Sequence, residues 1–205
     1  IGTDFIEYQN FNDSINQPLP SLGSFIGCRF YTDNEYYLHD QFYAFARISK
    51  VDGVDFKACK FVNTLLPELP SQVKDFGFGI LALDAEFKVH PDISTGGIGP
   101  CPPPCTITDS TLFSGLGHGV YVMTEFQARP YAVYNSLFEN CLRGITDVTR
   151  GGATILFNTF SLGEVPDQDY SYGQIGAEFH SPHDGFTLRE NLFIVQNEET
   201  EVIPI

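Results

Sequence analysis

The chain has no tryptophan, a single methionine and few basic residues. Its 205 residues hold 11 Lys and Arg against 26 Asp and Glu, a formal charge of −15. Nucleic acid and anionic membrane surfaces both call for clustered Lys and Arg, so this balance speaks against either partner. An acidic polysaccharide is a poor match too, unless bound Ca²⁺ reverses the local field, and Ca²⁺ is the one cofactor left open. The plain reading of the charge is solubility in an extracellular setting. No apolar run is long enough to insert into a bilayer, and the first residues show no initiator Met or secretion-signal pattern. Helical periodicity is almost absent. Without Trp, any stacking of sugar rings falls to Tyr.

What is abundant is Phe, with 19 copies, alongside 10 Tyr and 19 Gly. Six short segments repeat one phrase, a β-prone run with Cys, Ser or Asn shortly before a closing Phe: residues 24–30, 55–61, 106–113, 132–138, 154–160 and 187–193. The closing residues are Phe30, Phe61, Phe113, Phe138, Phe160 and Phe193, at spacings of 31, 52, 25, 22 and 33. The longest spacing is about two of the others and suggests a coil whose phrase has decayed. A second column opens with Gly79, Gly119 and Gly144, with Gly176 as a divergent fourth. Glycine at a corner supplies backbone angles that other residues resist. Each unit therefore reads as one strand ending in Phe, a tight turn, and a strand opening with Gly.

Repeats of this size are stacked units that cannot bury a hydrophobic face alone. They are too short for four-stranded propeller blades. The expected fold is all-β: a right-handed parallel β-helix, a solenoid with coils of roughly 22–33 residues, right-handed because parallel crossovers are overwhelmingly so. The six closing Phe are expected to stack as an internal ladder at the strand spacing. The expected organisation is an N-terminal segment or incomplete first coil at 1–23, β-helix coils over 24–195, and a tail or further coil at 196–205. A Gly-, Pro- and Cys-rich loop is inserted at 90–105.

The run Asn135-Ser-Leu-Phe-Glu-Asn-Cys-Leu-Arg-Gly-Ile145 resembles the coils of right-handed parallel β-helix proteins of the pectin-lyase-like class. Cys59-Lys-Phe-Val-Asn63 and Glu190-Asn-Leu-Phe193 are similar, in the style of large secreted β-helix proteins of Bacteroidota. The resemblance covers most of 24–195. It implies the fold and a secreted or cell-surface location. It leaves the activity open, because this scaffold hosts lyases, hydrolases, adhesins and structural modules.

Cys28 and Cys59 share one place in the repeat, and Cys141 follows a closing Phe; all three suit small buried hydrophobes. Cys101 and Cys105 flank three prolines, and a local disulfide between them is one reading. Zinc wants four ligands, and no Cys-x-x-Cys or paired His accompanies these two, so no metal site is expected.

Catalytic candidates are few. Gly117-His118-Gly119 resembles a polygalacturonase motif, but the adjacent Asp pair and the Arg-x-Lys of that family are absent. Asp84, Glu86, Glu125 and Arg150 are the remaining acid–base candidates, with Arg150 approaching Glu125 from the next coil. His180 and His183 form the densest polar cluster, a solvated loop or a weak ligand set. If Val120 and Val122 face inward, Tyr121 faces outward in a column with Leu81, Thr146 and Glu178. Tyr121, Glu178, His180 and His183 are thus the ligand-binding candidates. Three functions fit. The first is a non-catalytic extracellular module, structural, adhesin-like or assembling, with copies of itself or further coils of a longer chain as partners. The others are a polysaccharide lyase or hydrolase, and a glycan-binding module without turnover.

Overall fold

The computed structural model describes residues 6–9, 19–20, 23–32, 44–64, 77–92, 109–162, 174–180 and 185–195. Among the described residues, twenty strands follow one another in six coils. The first coil holds β1 (Ile6–Gln9), β2 (Leu19–Pro20), β3 (Ser24–Ile26) and β4 (Arg29–Thr32). The second holds β5 (Ala44–Ser49), β6 (Val51–Asp52), β7 (Val54–Lys57) and β8 (Lys60–Asn63). The third has β9 (Phe78–Leu83), β10 (Phe87–His90) and β11 (Thr111–Ser114). The fourth has β12 (His118–Met123), β13 (Tyr131–Tyr134) and β14 (Ser136–Glu139). The fifth has β15 (Arg143–Asp147), β16 (Ala153–Leu156) and β17 (Thr159–Leu162), and the sixth β18 (Ile175–Phe179), β19 (Thr187–Arg189) and β20 (Leu192–Val195).

Three six-stranded sheets result, each built from one strand of every coil: β1-β5-β9-β12-β15-β18, β3-β7-β10-β13-β16-β19 and β4-β8-β11-β14-β17-β20. All of their pairings are parallel and between successive coils. The expected all-β parallel β-helix is therefore what the chain forms. A short fourth pairing, β2 with β6, bridges the first two coils only.

The third sheet carries the Phe ladder. Its rings stack in sequence at 4.9, 4.9, 4.8, 4.8 and 4.8 Å, from Phe30 through Phe61, Phe113, Phe138 and Phe160 to Phe193. Alternation explains the selection: in β11 and β14 every second side chain is buried, and the closing Phe takes the inner position. Each ring adds stacking worth about 0.5–1.5 kcal/mol to its area burial. Inside the second sheet, Phe25 stacks on Phe56 and Phe87 on Tyr131.

Two sequence expectations need correction. Phe61 pairs directly with Phe113, so no decayed coil lies between them and the third coil exceeds the expected length. In sequence the additional length falls between β8 and β9 and between β10 and β11. An antiparallel bridge, Asp92 to Asp109, stands at the base of the second connection. The second correction concerns the glycine column. Among the described residues the left-handed glycines are Gly27, Gly53, Gly77, Gly115 and Gly185, and none belongs to that column. Gly79, Gly119, Gly144 and Gly176 are instead where the first sheet passes the Phe ladder: a Cβ on Gly119 would lie 2.6 Å from Phe138 Cδ1. The column is steric, not conformational.

The corner between the second and third sheets is built from a left-handed residue (Gly27, Ala58, Asn135, Phe157 and Glu190 in five of the coils). The residue after it is Cys28, Cys59, Ser136, Asn158 or Asn191, and of these Cys59 and the two asparagines complete the backbone of a neighbouring coil. Asn158 accepts from the Ser136 N–H at 2.9 Å and donates to the Val133 carbonyl at 2.9 Å. Asn191 repeats this one coil on, accepting from the Asn158 N–H and donating to the Ile155 carbonyl. In the early coils Cys28 and Cys59 fill this position as free thiols. Cys59 donates to the Phe25 carbonyl at 3.2 Å, and burial pushes its thiol up to about 11. Cys141, buried at the next corner, is pushed up to about 12 by burial. Such thiols are inert side chains of the core.

Candidate functional site

The outer face of the first sheet gathers aromatic, polar and charged side chains from four successive strands. Register places Leu81, Tyr121, Thr146 and Glu178 in one line across β9, β12, β15 and β18. Beside it runs a second line, formed by the residue ahead of each column glycine: Phe78, His118, Arg143 and Ile175. Both sets stand on the outer side because the glycine between them faces the ladder and the following residue turns back into the core.

The two lines are joined by direct contacts. Arg143 Nε donates to Glu178 Oε2 at 2.7 Å, and His180 Nε2 lies 3.2 Å from Glu178 Oε1. His118 Nδ1 is 2.9 Å from Thr146 Oγ1. The His118 imidazole sits among aromatic rings, with centroids at 5.1 Å from Phe78 and 5.0 Å, edge-on, from Tyr121. Burial, and then the neighbouring Arg143 guanidinium, lower the His118 pKa to about 4, against a smaller opposing pull from Glu178. At neutral pH this imidazole is uncharged.

Of the ligand-binding candidates, Tyr121, Glu178 and His180 thus meet on one surface, while His183 lies outside the described residues, as do Cys101 and Cys105. Sequence reading missed the roles of His118, Arg143 and Phe78 here. The signal was present in their position immediately before the column glycines.

The acid–base candidates fare differently. Asp84 is buried, with its carboxylate accepting from the backbone N–H groups of Glu125 (2.9 Å), Phe126 (3.0 Å) and Gln127 (3.2 Å). Its visible role is to hold the 124–127 connection against the coil below. Glu86 is half-buried on the preceding connection, and Glu125 and Arg150 are exposed. Arg150 forms no ion pair with Glu125 or any other of the described residues. A second buried carboxylate, Asp147, accepts from the Tyr131 hydroxyl at 2.9 Å and the Thr149 N–H at 2.7 Å. Burial, reinforced by Asp147, raises the Tyr131 pKa well above its usual value. Among the described residues no three His, Cys, Asp or Glu side chains converge as a metal site, and no helix is long and apolar enough to cross a membrane.

No protein-family model matches this chain, and comparison with curated proteins and with solved structures likewise returns no match.

Proposed function

We propose that the chain is a non-catalytic extracellular β-solenoid segment, structural or adhesin-like, whose coils stack against further coils of the same kind. One observation carries this reading. The sixth coil presents the half of the inter-coil interface that every earlier coil has covered. Phe193 is 47 % exposed at the end of a ladder whose other five rings are buried. Leu188, Leu192, Ile194 and Val195 on the same coil are exposed as well. An open apolar edge of this kind is a template for adding strands. Either a second copy or additional coils would continue the ladder.

Two further points favour a scaffold over an enzyme. The buried carboxylates Asp84 and Asp147 are engaged by backbone and tyrosine donors, and Glu178 already bridges Arg143 and His180. The resemblance to secreted β-helix proteins, with the acidic composition, supports an extracellular or cell-surface location. Within this reading, a polysaccharide lyase or hydrolase of the pectin-lyase-like class is the less favoured alternative. A glycan-binding module draws support from the Leu81–Tyr121–Thr146–Glu178 line. Electron microscopy across a concentration series tests stacking. Rods that lengthen in whole multiples of one copy support it, and single short rods at every concentration overturn it.

A further inference from the structure

We infer that the outer face of the first sheet binds an oxyanion, the carboxylate, sulfate or phosphate group of a ligand, with Arg143 as its anchor. The inference is independent of whether the solenoid is a scaffold. Arg143 engages Glu178 through Nε alone, and among the described residues neither of its Nη atoms has a partner. A guanidinium held along one edge keeps the fork between its two Nη atoms, which matches two oxygens of a planar or tetrahedral anion. Glu178 fixes the plane of that fork, because its second oxygen is tied to His180 at 3.2 Å. The side chains of Arg143 and Glu178 are 32 % and 29 % exposed, so the pair is reachable from solvent.

Two neutral donors stand next to the fork. His118 is the register partner of Arg143 on β12. His118 Nδ1 lies 2.9 Å from Thr146 Oγ1; in the tautomer in which that hydroxyl donates to Nδ1, the ring hydrogen stands on Nε2 and is left for a ligand. The Tyr121 ring packs edge-on against the imidazole, and its hydroxyl has no partner among the described residues. Phe78 closes the other side of both rings, at 5.1 and 5.2 Å. The charged and titratable groups facing His118 are therefore Arg143, Glu178 and Tyr121, with His180 beyond Glu178. Against a chain charge of −15, this patch gathers a guanidinium and two imidazoles around a single carboxylate.

The test is an NMR titration of the His118 imidazole Cε1–H with sodium acetate, sulfate and phosphate in turn, at ionic strength held constant with chloride. The expected result is a saturable shift with at least one anion. Acetate alone would identify a planar carboxylate site, and sulfate or phosphate a tetrahedral one. Arg143→Lys keeps the charge but loses the fork and should weaken binding about tenfold. Glu178→Gln removes the one repelling charge and should tighten it, which a merely structural role for the pair would not produce. Far-UV circular dichroism of both variants confirms that the coils are intact. No saturable shift with any anion overturns the inference. So does binding that is unchanged in Arg143→Lys, or weakened rather than tightened in Glu178→Gln.

Discussion

Replacing Gly119 by Ala asks whether the glycine column is there for space or for backbone freedom. The new Cβ would lie 2.6 and 2.7 Å from Phe138 Cδ1 and Cε1, and 2.7 Å from the Gly144 carbonyl oxygen, where ordinary contact begins near 3.4 Å. Phe138 cannot step aside, because Phe113 and Phe160 stack on its two faces at 4.8 Å. The Gly144 oxygen belongs to the neighbouring strand β15. Relief must therefore come from moving two coils apart. Overpacking a filled core costs about 1–3 kcal/mol, and backbone involvement places this case at the upper end. The reduced freedom of the unfolded chain returns about 0.4–1 kcal/mol. The net expectation is a loss of about 2 kcal/mol, read as a lowered urea midpoint at unchanged m. Gly27→Asn is the control. Gly27 has a φ of +62°, no atom lies within 4 Å of its Cβ position, and Asn135 occupies the same corner with a positive φ. It should stay within about 0.5 kcal/mol of the parent. Trimming the ring with Phe138→Leu should make the double variant less destabilised than the two single losses combined, by about 0.5 kcal/mol or more. A Gly119→Ala chain as stable as the parent, or one less perturbed than Gly27→Asn, would refute the steric reading.

Other consequences follow from the same packing. Phe113→Ala should cost about 3–5 kcal/mol, whereas Phe193→Ala, stacked on one face only, should cost less than half as much; urea unfolding of both variants checks the ratio. Asn158→Ala leaves the Ser136 N–H and the Val133 carbonyl without their partner, an expected loss of about 2–4 kcal/mol by thermal or urea unfolding. Asp84→Ala frees three backbone N–H groups, and hydrogen exchange at Glu125, Phe126 and Gln127 should accelerate well before the coils themselves open. His118 is held neutral in the folded state, so the unfolded chain takes up its proton first. Stability from this group is complete above pH 6.5 and declines as pH falls toward about 4. Unfolding midpoints at several pH values should show that slope, and His118→Gln should flatten it.

The Phe ladder was legible because a single residue type recurs at a fixed offset from a small polar partner, and both face the same interior. The Gly column was equally visible, yet its cause was not: sequence shows where a Cβ is missing, not which neighbour would meet it. The Phe61–Phe113 spacing misled because chain length between rungs counts connections as well as strands. Alternation around Val120 placed Tyr121 and Glu178 on the outer face. It could not place His118 and Arg143 there, because strict alternation fails at the column glycine, where two successive residues turn inward. Asp84 read as a catalytic candidate because sequence cannot reveal that three backbone N–H groups from the next coil converge on its carboxylate.

The claim that this solenoid supports rather than transforms is tested most directly by a turnover screen. The intact chain would be incubated with neutral and acidic polysaccharides, with and without Ca²⁺, and new reducing and unsaturated ends followed over time. The account predicts no release beyond that of the heat-denatured chain. Sustained release that disappears in Arg143→Met or Glu178→Gln, with the coils intact, would contradict it and make the outer face of the first sheet an active site.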